Sequence, residues 1–173
     1  MPDAPVYVSA CAGLDLFTCA MEARFGRRFR YAAATELNAG LRGFLASAYC
    51  EVGLRPEAID RDATLPTSYA GVRECDVFTM GSPCGLWSKR HQNPSQEERR
   101  EEAGRVSRML DFARAVRPLV LLVENVDTPE TASLITAVLC SLGGYRLESF
   151  VAEALDFGDM DRSRRLWVLW RLE

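Results

Sequence analysis

The sequence has one histidine, His91, and its six cysteines at positions 11, 19, 50, 75, 84 and 140 include no Cys-x-x-Cys pair. A structural zinc site needs several soft ligands at close spacing, and a disulfide framework needs dense paired cysteines, so neither a metal nor a disulfide scaffold is expected. Cys19, Cys50 and Cys140 are expected to be small buried hydrophobes. No apolar run approaches the roughly 20 residues that cross a bilayer, and no basic segment leads into an apolar stretch with a cleavage site at the N-terminus. No membrane partner is expected, and the cytoplasm is the expected compartment. A basic excess is also lacking: the formal net charge is −3, whereas a chain that grips nucleic acid alone needs clustered Lys and Arg. Two local clusters remain, Lys89-Arg90-His91 and Arg162 with Arg164 and Arg165, and each reads equally as solvated surface or as a phosphate contact.

What is present suffices for one core. The chain has 173 residues, 48% of them hydrophobic and 26% charged, so a single domain over residues 1–173 is expected. Strand-like and helix-like segments alternate throughout, which predicts an α/β fold with a doubly wound, mostly parallel sheet and helices on both faces. Val6 to Ala10 reads as a strand, and Gly13 to Phe25 as a helix. Tyr31 to Glu36 reads as a second strand, before a helix from Leu37 to Val52 with Leu41, Phe44, Leu45 and Ala48 at helical spacing. Asp76 to Met80 is a short strand ending in Gly81-Ser82-Pro83. A polar stretch then grades into a helix reaching about Val116. Leu119 to Val123 is uninterruptedly apolar, as a strand covered on both faces requires. Thr128-Pro129-Glu130 starts a helix that Gly143-Gly144 stops, and Tyr145 to Val151 and Leu166 to Leu172 read as the last strands.

Ligands of such sheets bind beyond the carboxyl ends of the strands, so chemistry is sought there. After the first strand comes Ser9-Ala10-Cys11-Ala12-Gly13-Leu14-Asp15, whose small side chains let the backbone approach a nucleotide closely. Small residues also serve tight packing. Glu36 ends the second strand, where an acidic residue can accept from ribose hydroxyls, and Asp62 could receive the exocyclic amine of an adenine. The sharper features are Gly81-Ser82-Pro83-Cys84, a cysteine directly after a strand in a proline-fixed loop, and Glu124-Asn125-Val126 at the end of the apolar strand. If those two strands are neighbours, a nucleophile and a carboxylic acid face one crevice.

These motifs, in this order, resemble those of the DNA cytosine-5 methyltransferase family over nearly the whole chain. Ser9 to Asp15 resembles its first cofactor loop, Gly81 to Cys84 its Pro-Cys nucleophile loop, and Glu124-Asn125-Val126 its Glu-Asn-Val motif. Ala154-Leu155-Asp156-Phe157-Gly158 through Arg165 resembles a late segment that normally reads Gln-x-Arg-x-Arg before a strand. The departures are Ala10 and Ala12 in place of glycines, Gly85 in place of Gln, and Asp161 and Ser163 in place of the late Gln and first Arg, with Arg162 or Arg164 as candidates to compensate.

The resemblance implies an S-adenosylmethionine-dependent methyltransferase fold, with Cys84 as nucleophile and Glu124 and Arg165 around the cytosine. It implies cofactor contacts at Ser9, Ala10, Cys11, Ala12, Gly13, Leu14, Glu36, Leu37, Asp62, Ala63, Ser82 and Pro83, and substrate contacts at Ser88, Asn125, Arg162 and Arg164. DNA is the implied substrate, the target base being extruded into the pocket, with the Trp87 to Asn93 loop available to fill the gap. Family members continue past this point into a target-recognition domain and a final helix. The expectation is therefore a catalytic domain whose recognition comes from a partner chain; a truncated relic and an enzyme of little specificity are the other readings. A non-catalytic regulatory subunit and an RNA cytosine-5 methyltransferase remain alternative functions. Restriction protection, phage DNA modification and gene regulation would all use this chemistry, in a bacterial or phage-encoded protein that joins the nucleoid when bound to DNA.

Overall fold

The structure, a computed structural model, describes residues 4–13, 15, 17, 20, 23–24, 26, 29–50, 59–84, 93–153 and 164–172. Its elements run β1 (Val6–Ala10), β2 (Arg30–Thr35), α1 (Ala39–Cys50), β3 (Ile59–Asp60), a 3-10 turn at Pro66–Tyr69, β4 (Val77–Gly81), α2 (Gln96–Met109), α3 (Asp111–Val116), β5 (Val120–Val126), α4 (Pro129–Cys140), β6 (Tyr145–Glu153) and β7 (Arg164–Leu172). One seven-stranded sheet has the order β3-β2-β1-β4-β5-β7-β6. Strands β1 to β5 pair in parallel, and β7 is antiparallel to both β5 and β6. The order reverses between β1 and β4, and at such a switch point the loops diverge and leave a crevice.

Local chemistry sets the boundaries of the helices. Ser95 and Glu98 form a reciprocal capping box at the start of α2, which satisfies amides that the helix itself leaves unpaired. Thr128 Oγ1 accepts from the Thr131 amide at 3.2 Å ahead of Pro129, and α4 gives way to Gly143 and Gly144, both at positive φ. The sequence predicts an unbroken helix to about Val116, but it divides at Leu110. There the amide is shared between Val106 O at 3.3 Å and Ser107 O at 3.1 Å, and the fully buried leucine turns the chain inward.

Two clusters fill the space around the sheet. Val8, Phe78, Met80, Leu121, Val123, Leu166, Val168 and Trp170 pack with Val106 and Met109 of α2, Leu110 at the break, Ala113 of α3 and Ile135 of α4. On the opposite face Tyr7, Tyr31 and Ala34 meet Leu45 and Tyr49 of α1. Each fully buried large apolar side chain contributes about 1.5–3 kcal/mol over its exposed state.

Several expectations about packing are corrected by the structure. The buried stripe of α1 is Leu45 and Tyr49, four residues apart, while Phe44 and Ala48 are exposed because they lie about 100° around the axis from that pair. Cys50 and Cys140 close their helices and are exposed; Cys19 lies outside the described residues. Strand β5 is not covered on both faces. Leu121, Val123 and Asn125 are buried, while Val120, Leu122, Glu124 and Val126 on the other face are only half-buried. In register with that second face stand Trp167 and Leu169 of β7, half-buried, and Phe150 of β6, 53% exposed.

Candidate active site

Two adjoining cavities lie at the carboxyl ends of β1, β2, β4 and β5. The larger, about 810 Å³, is walled by the β1 loop, by the Gly81 to Cys84 loop and by Glu124, Arg165 and Trp167. The smaller, about 400 Å³, is lined by Thr35, Glu36, Leu37, Asp62, Ala63 and Thr64, with Arg61, Arg105 and Arg108 at its margin. Cys11 and Pro83 line both. The parallel pairing of β4 with β5 explains the larger cavity: Gly81 lies opposite Glu124, so the loop after one strand and the carboxylate ending the other emerge side by side.

The smaller cavity is built by backbone. Thr35 holds the β1 loop through its Oγ1, which accepts from Cys11 N at 3.1 Å, and its carbonyl, which accepts from Ala12 N at 2.8 Å. Glu36 Oε2 accepts from Gly13 N at 2.8 Å and Oε1 from Asn38 N at 2.8 Å. A carboxylate offers about four acceptor positions, so these two bonds orient the group and leave capacity for hydroxyl donors. Asp62 Oδ1 accepts from the Thr64 hydroxyl at 2.7 Å and amide at 2.8 Å. Those bonds, helped by the positive fields of Arg108 and Arg105, hold its carboxyl below the usual range, so it is an anion that can accept.

The larger cavity is built by side chains. Glu124 Oε1 accepts from Arg165 Nε at 2.9 Å. Burial raises the Glu124 carboxyl above its usual range, and the Arg165 charge opposes the shift. Cys84 is exposed at the rim. Cys11, in the same lining, differs: burial and the negative fields of Glu36, Asp62 and Glu102 push its thiol up to about 12, so it stays protonated near neutrality. A side chain at position 81 would meet the Cys11 carbonyl at 3.3 Å and Glu124 Oε2 at 3.8 Å, so glycine keeps this passage clear.

Of the residues singled out from sequence, Ser9, Cys11, Ala12, Gly13, Ser82, Pro83, Cys84, Glu124 and Arg165 line the larger cavity. Glu36, Leu37, Asp62 and Ala63 line the smaller. Three are placed elsewhere. Ala10 is fully buried in the core, because alternation along β1 turns Ser9 toward the cavity and its neighbour away. Asn125, expected at the substrate, is 2% exposed, and its amide donates to Ser82 Oγ and to the Ser82 and Pro83 carbonyls, both at 3.4 Å. These bonds tie the Gly81 to Cys84 loop to β5. Arg164, also expected at the substrate, pairs with Asp127 Oδ2 at 3.0 Å and Glu153 Oε1 at 3.8 Å, since β7 alternation directs it away from Arg165. Leu14, Ser88, Arg162 and all but Asn93 of the Trp87 to Asn93 loop lie outside the described residues, as do His91, Asp161 and Ser163.

Sequence reasoning missed Phe17, Thr79 and Trp167 and named Asp15 only as the end of the first cofactor loop; all four also line the larger cavity. Phe17 and Trp167 meet edge to face at 5.0 Å, and Phe150 stacks beyond them at 6.3 Å. The available signal for Trp167 was its two-residue offset from Arg165 on one strand, which places both on one face. Among the described residues no group of three or more His, Cys, Asp and Glu could hold a metal ion, and no helix is long and apolar enough to cross a membrane.

The sequence model of the C-5 cytosine-specific DNA methylase family matches residues 7–170. No curated protein sequence matches the chain. Among solved structures, an Entamoeba histolytica methyltransferase superposes with a TM-score of 0.73 at 13% identity, covering 99% of this chain and 54% of its own. The S. pombe Dnmt2 methyltransferase gives 0.67 at 15% identity, covering 97% and 49%. A Spodoptera frugiperda DNMT2 variant gives 0.65 at 16% identity, covering 97% and 50%. At these identities the likeness is one of fold, and the chain spans about half the length of each of these proteins.

Proposed function

Because the chain belongs to the C-5 cytosine-specific DNA methylase family, we propose that it transfers a methyl group to C5 of cytosine in DNA through a covalent adduct on Cys84, with a second chain supplying target recognition. The observation that carries this reading is the meeting of Cys84, Glu124 and Arg165 in one cavity that adjoins the Glu36 and Asp62 cavity, Cys11 and Pro83 lining both.

Methyltransferases of this family and fold use S-adenosylmethionine, and the residues present fit it. The oriented Glu36 carboxylate suits ribose hydroxyls, ionised Asp62 suits an adenine amine, and the side-chain-free passage at Gly81 suits a linking chain. When bound, this cofactor supplies an electrophilic methyl group on a sulfonium sulfur. Everything else falls to the protein. The Cys84 sulfur forms a bond to C6 of the cytosine, and the electron pair of the C5–C6 double bond moves to C5 and, by conjugation, toward N3. Glu124, its carboxyl raised by burial, donates a proton at N3 and so stabilises that charge. Arg165 holds the carboxyl in place through its Nε. Once C5 carries the methyl group, the N3 proton returns to Glu124, and loss of the C5 proton to water restores the C5–C6 double bond as the S–C6 bond breaks and its electron pair leaves with the Cys84 sulfur as thiolate.

The half-exposed sheet face supports the second chain. Val120, Leu122, Val126, Trp167, Leu169 and Phe150 present apolar surface next to the larger cavity, a surface that an apolar segment of a partner would cover. The test is labelled methyl transfer from S-adenosylmethionine to DNA, run with this chain alone and with the product of the adjacent reading frame. Label in 5-methylcytosine is expected in the second reaction. Label in RNA instead, or in neither nucleic acid while the cofactor product binds, would favour the RNA enzyme or the non-catalytic subunit.

A further inference from the structure

We propose that Arg61, Arg105 and Arg108 form a phosphate-binding site over the mouth of the smaller cavity, with a phosphate of the nucleic-acid backbone as its expected occupant. The arginines that the sequence offers for such a contact are engaged elsewhere: Arg165 pairs with Glu124, and Arg164 with Asp127 and Glu153. Their charge is matched within the chain, whose net charge is −3. A polyanion is held by such a chain only where cationic side chains gather locally and remain accessible.

Arg61, Arg105 and Arg108 meet that condition, although they come from remote elements. Arg61 directly follows β3, and Arg105 and Arg108 stand three apart on one side of α2. All three are exposed and line the same cavity. Arg61 and Arg108 form no ion pair among the described residues. Arg105 is held by one edge, its Nε lying 3.4 Å from Oε2 of Glu102, whose side chain is 4% exposed; its two terminal nitrogens are left for a ligand. Glu36 and Asp62 in the same lining are half-buried, so they bar an anion from the interior while the exposed guanidiniums admit it at the rim. Guanidinium forks suit phosphate, since paired N–H donors meet paired oxygens. The place suits the substrate as well. Pro83 lines this cavity and Cys84 the adjoining one, so, resting on the reading of Cys84 above, a strand that delivers its cytosine there extends along the same carboxyl edge of the sheet. A free nucleotide offers the same phosphate chemistry, and the test separates the two sources.

Anisotropy titration of the full chain with a fluorescein-labelled DNA duplex, over a series of salt concentrations, is the first arm. Arg61→Gln and Arg108→Gln, both exposed changes, are each expected to weaken binding about tenfold at low salt, the worth of a charge-assisted hydrogen bond. Each should also lower the slope of log affinity against log salt by about 0.9. Arg108→Lys keeps the charge without the fork and should restore the slope but only part of the affinity. Arg73→Gln, exposed before β4 at the opposite edge of the sheet, should change neither. The second arm is calorimetry with ADP and adenosine. ADP bound about tenfold tighter than adenosine, with that preference lost in Arg61→Gln and Arg108→Gln while the duplex titration is unchanged, supports the site with a free nucleotide as its source. Duplex and ADP titrations both unchanged in the double variant overturn the site. So does a wild-type chain that binds neither the duplex nor ADP. A chain that binds the duplex through these arginines yet transfers no methyl group, even with its partner, sinks the catalytic reading and leaves the phosphate site standing.

Discussion

The two cavities share a wall but are made differently. Around Glu36 and Asp62, the carboxylates are set mainly by main-chain amides: Gly13 and Asn38 hold one, and Thr64 holds the other through its amide and its hydroxyl. Around Cys84 and Glu124, orientation comes from side chains, with Arg165 on Glu124 and Asn125 on the Gly81 to Cys84 loop. The first arrangement is tied to the fold by its hydrogen bonds. The second stands beside a sheet face that is still half open, so its geometry depends on fewer and longer groups. The Glu36 and Asp62 carboxylates are oriented within this chain, whereas the half-buried face beside Glu124 leaves room for the second chain that we propose.

The sharpest separation of the two ends comes from Cys84→Ala. It should remove all methyl transfer while cofactor-product affinity, measured by calorimetry, stays within about twofold of wild type, because hydrogen bonds at the other end are untouched. Glu124→Gln comes next, with kcat expected to fall roughly 10²–10³-fold as a group that stabilises developing charge loses its proton. The pH dependence has a definite sign. Burial raises the Glu124 carboxyl, so the donor form is present at low pH and transfer falls as pH rises through the raised value; Glu124→Gln should lack that limb. By linkage, this group favours the folded state below its unfolded value, a contribution lost as pH rises through the folded one.

At the cofactor end, Glu36→Gln or Asp62→Asn should weaken product binding about tenfold or more, the worth of one charged hydrogen bond. At saturating cofactor, kcat should change little, and a fall as large as that of Glu124→Gln would erase the distinction between the cavities. Asp62 titrates in the opposite sense to Glu124, since its lowered carboxyl favours folding above its unfolded value and loses that effect as pH falls through the folded one. The smallest effect is expected from Asn125→Ala. Leaving Ser82 and Pro83 without their donor should cost about 1–3 kcal/mol by denaturant unfolding, and should lower kcat more than it raises the cofactor KM.

Legibility in the sequence followed the same division. The strands and the α4 start were readable because Val6 to Ala10, Leu119 to Val123 and Thr128-Pro129 carry their signals within a few residues. The two-residue β3 was not, since Ile59 and Asp60 are too few to show alternation. Glu36 could be singled out because it directly follows β2, and Cys84 because it stands in the short proline loop after β4. Asn125 and Arg164 could not be placed, because which way a strand residue points depends on register, and register is fixed by partners remote in sequence. Trp167 stayed hidden for that reason: its place beside Glu124 is a consequence of the β5–β7 pairing. Asp15 stood in a loop whose small residues drew attention to backbone, and its link to Tyr7 and Thr79 is tertiary.

The most direct measurement uses a DNA duplex carrying 5-fluorocytosine at the methylation site, incubated with S-adenosylmethionine and the chain under conditions of turnover, with its partner present if one is required. Fluorine at C5 cannot leave as a proton, so the enzyme should be held on the DNA. Mass spectrometry is expected to find the modified nucleotide on the peptide containing Cys84, and to find none with Cys84→Ala. Sustained conversion of ordinary cytosine without any trapped species on the fluorinated duplex, or a trap mapped to another residue such as Cys11, would contradict the account.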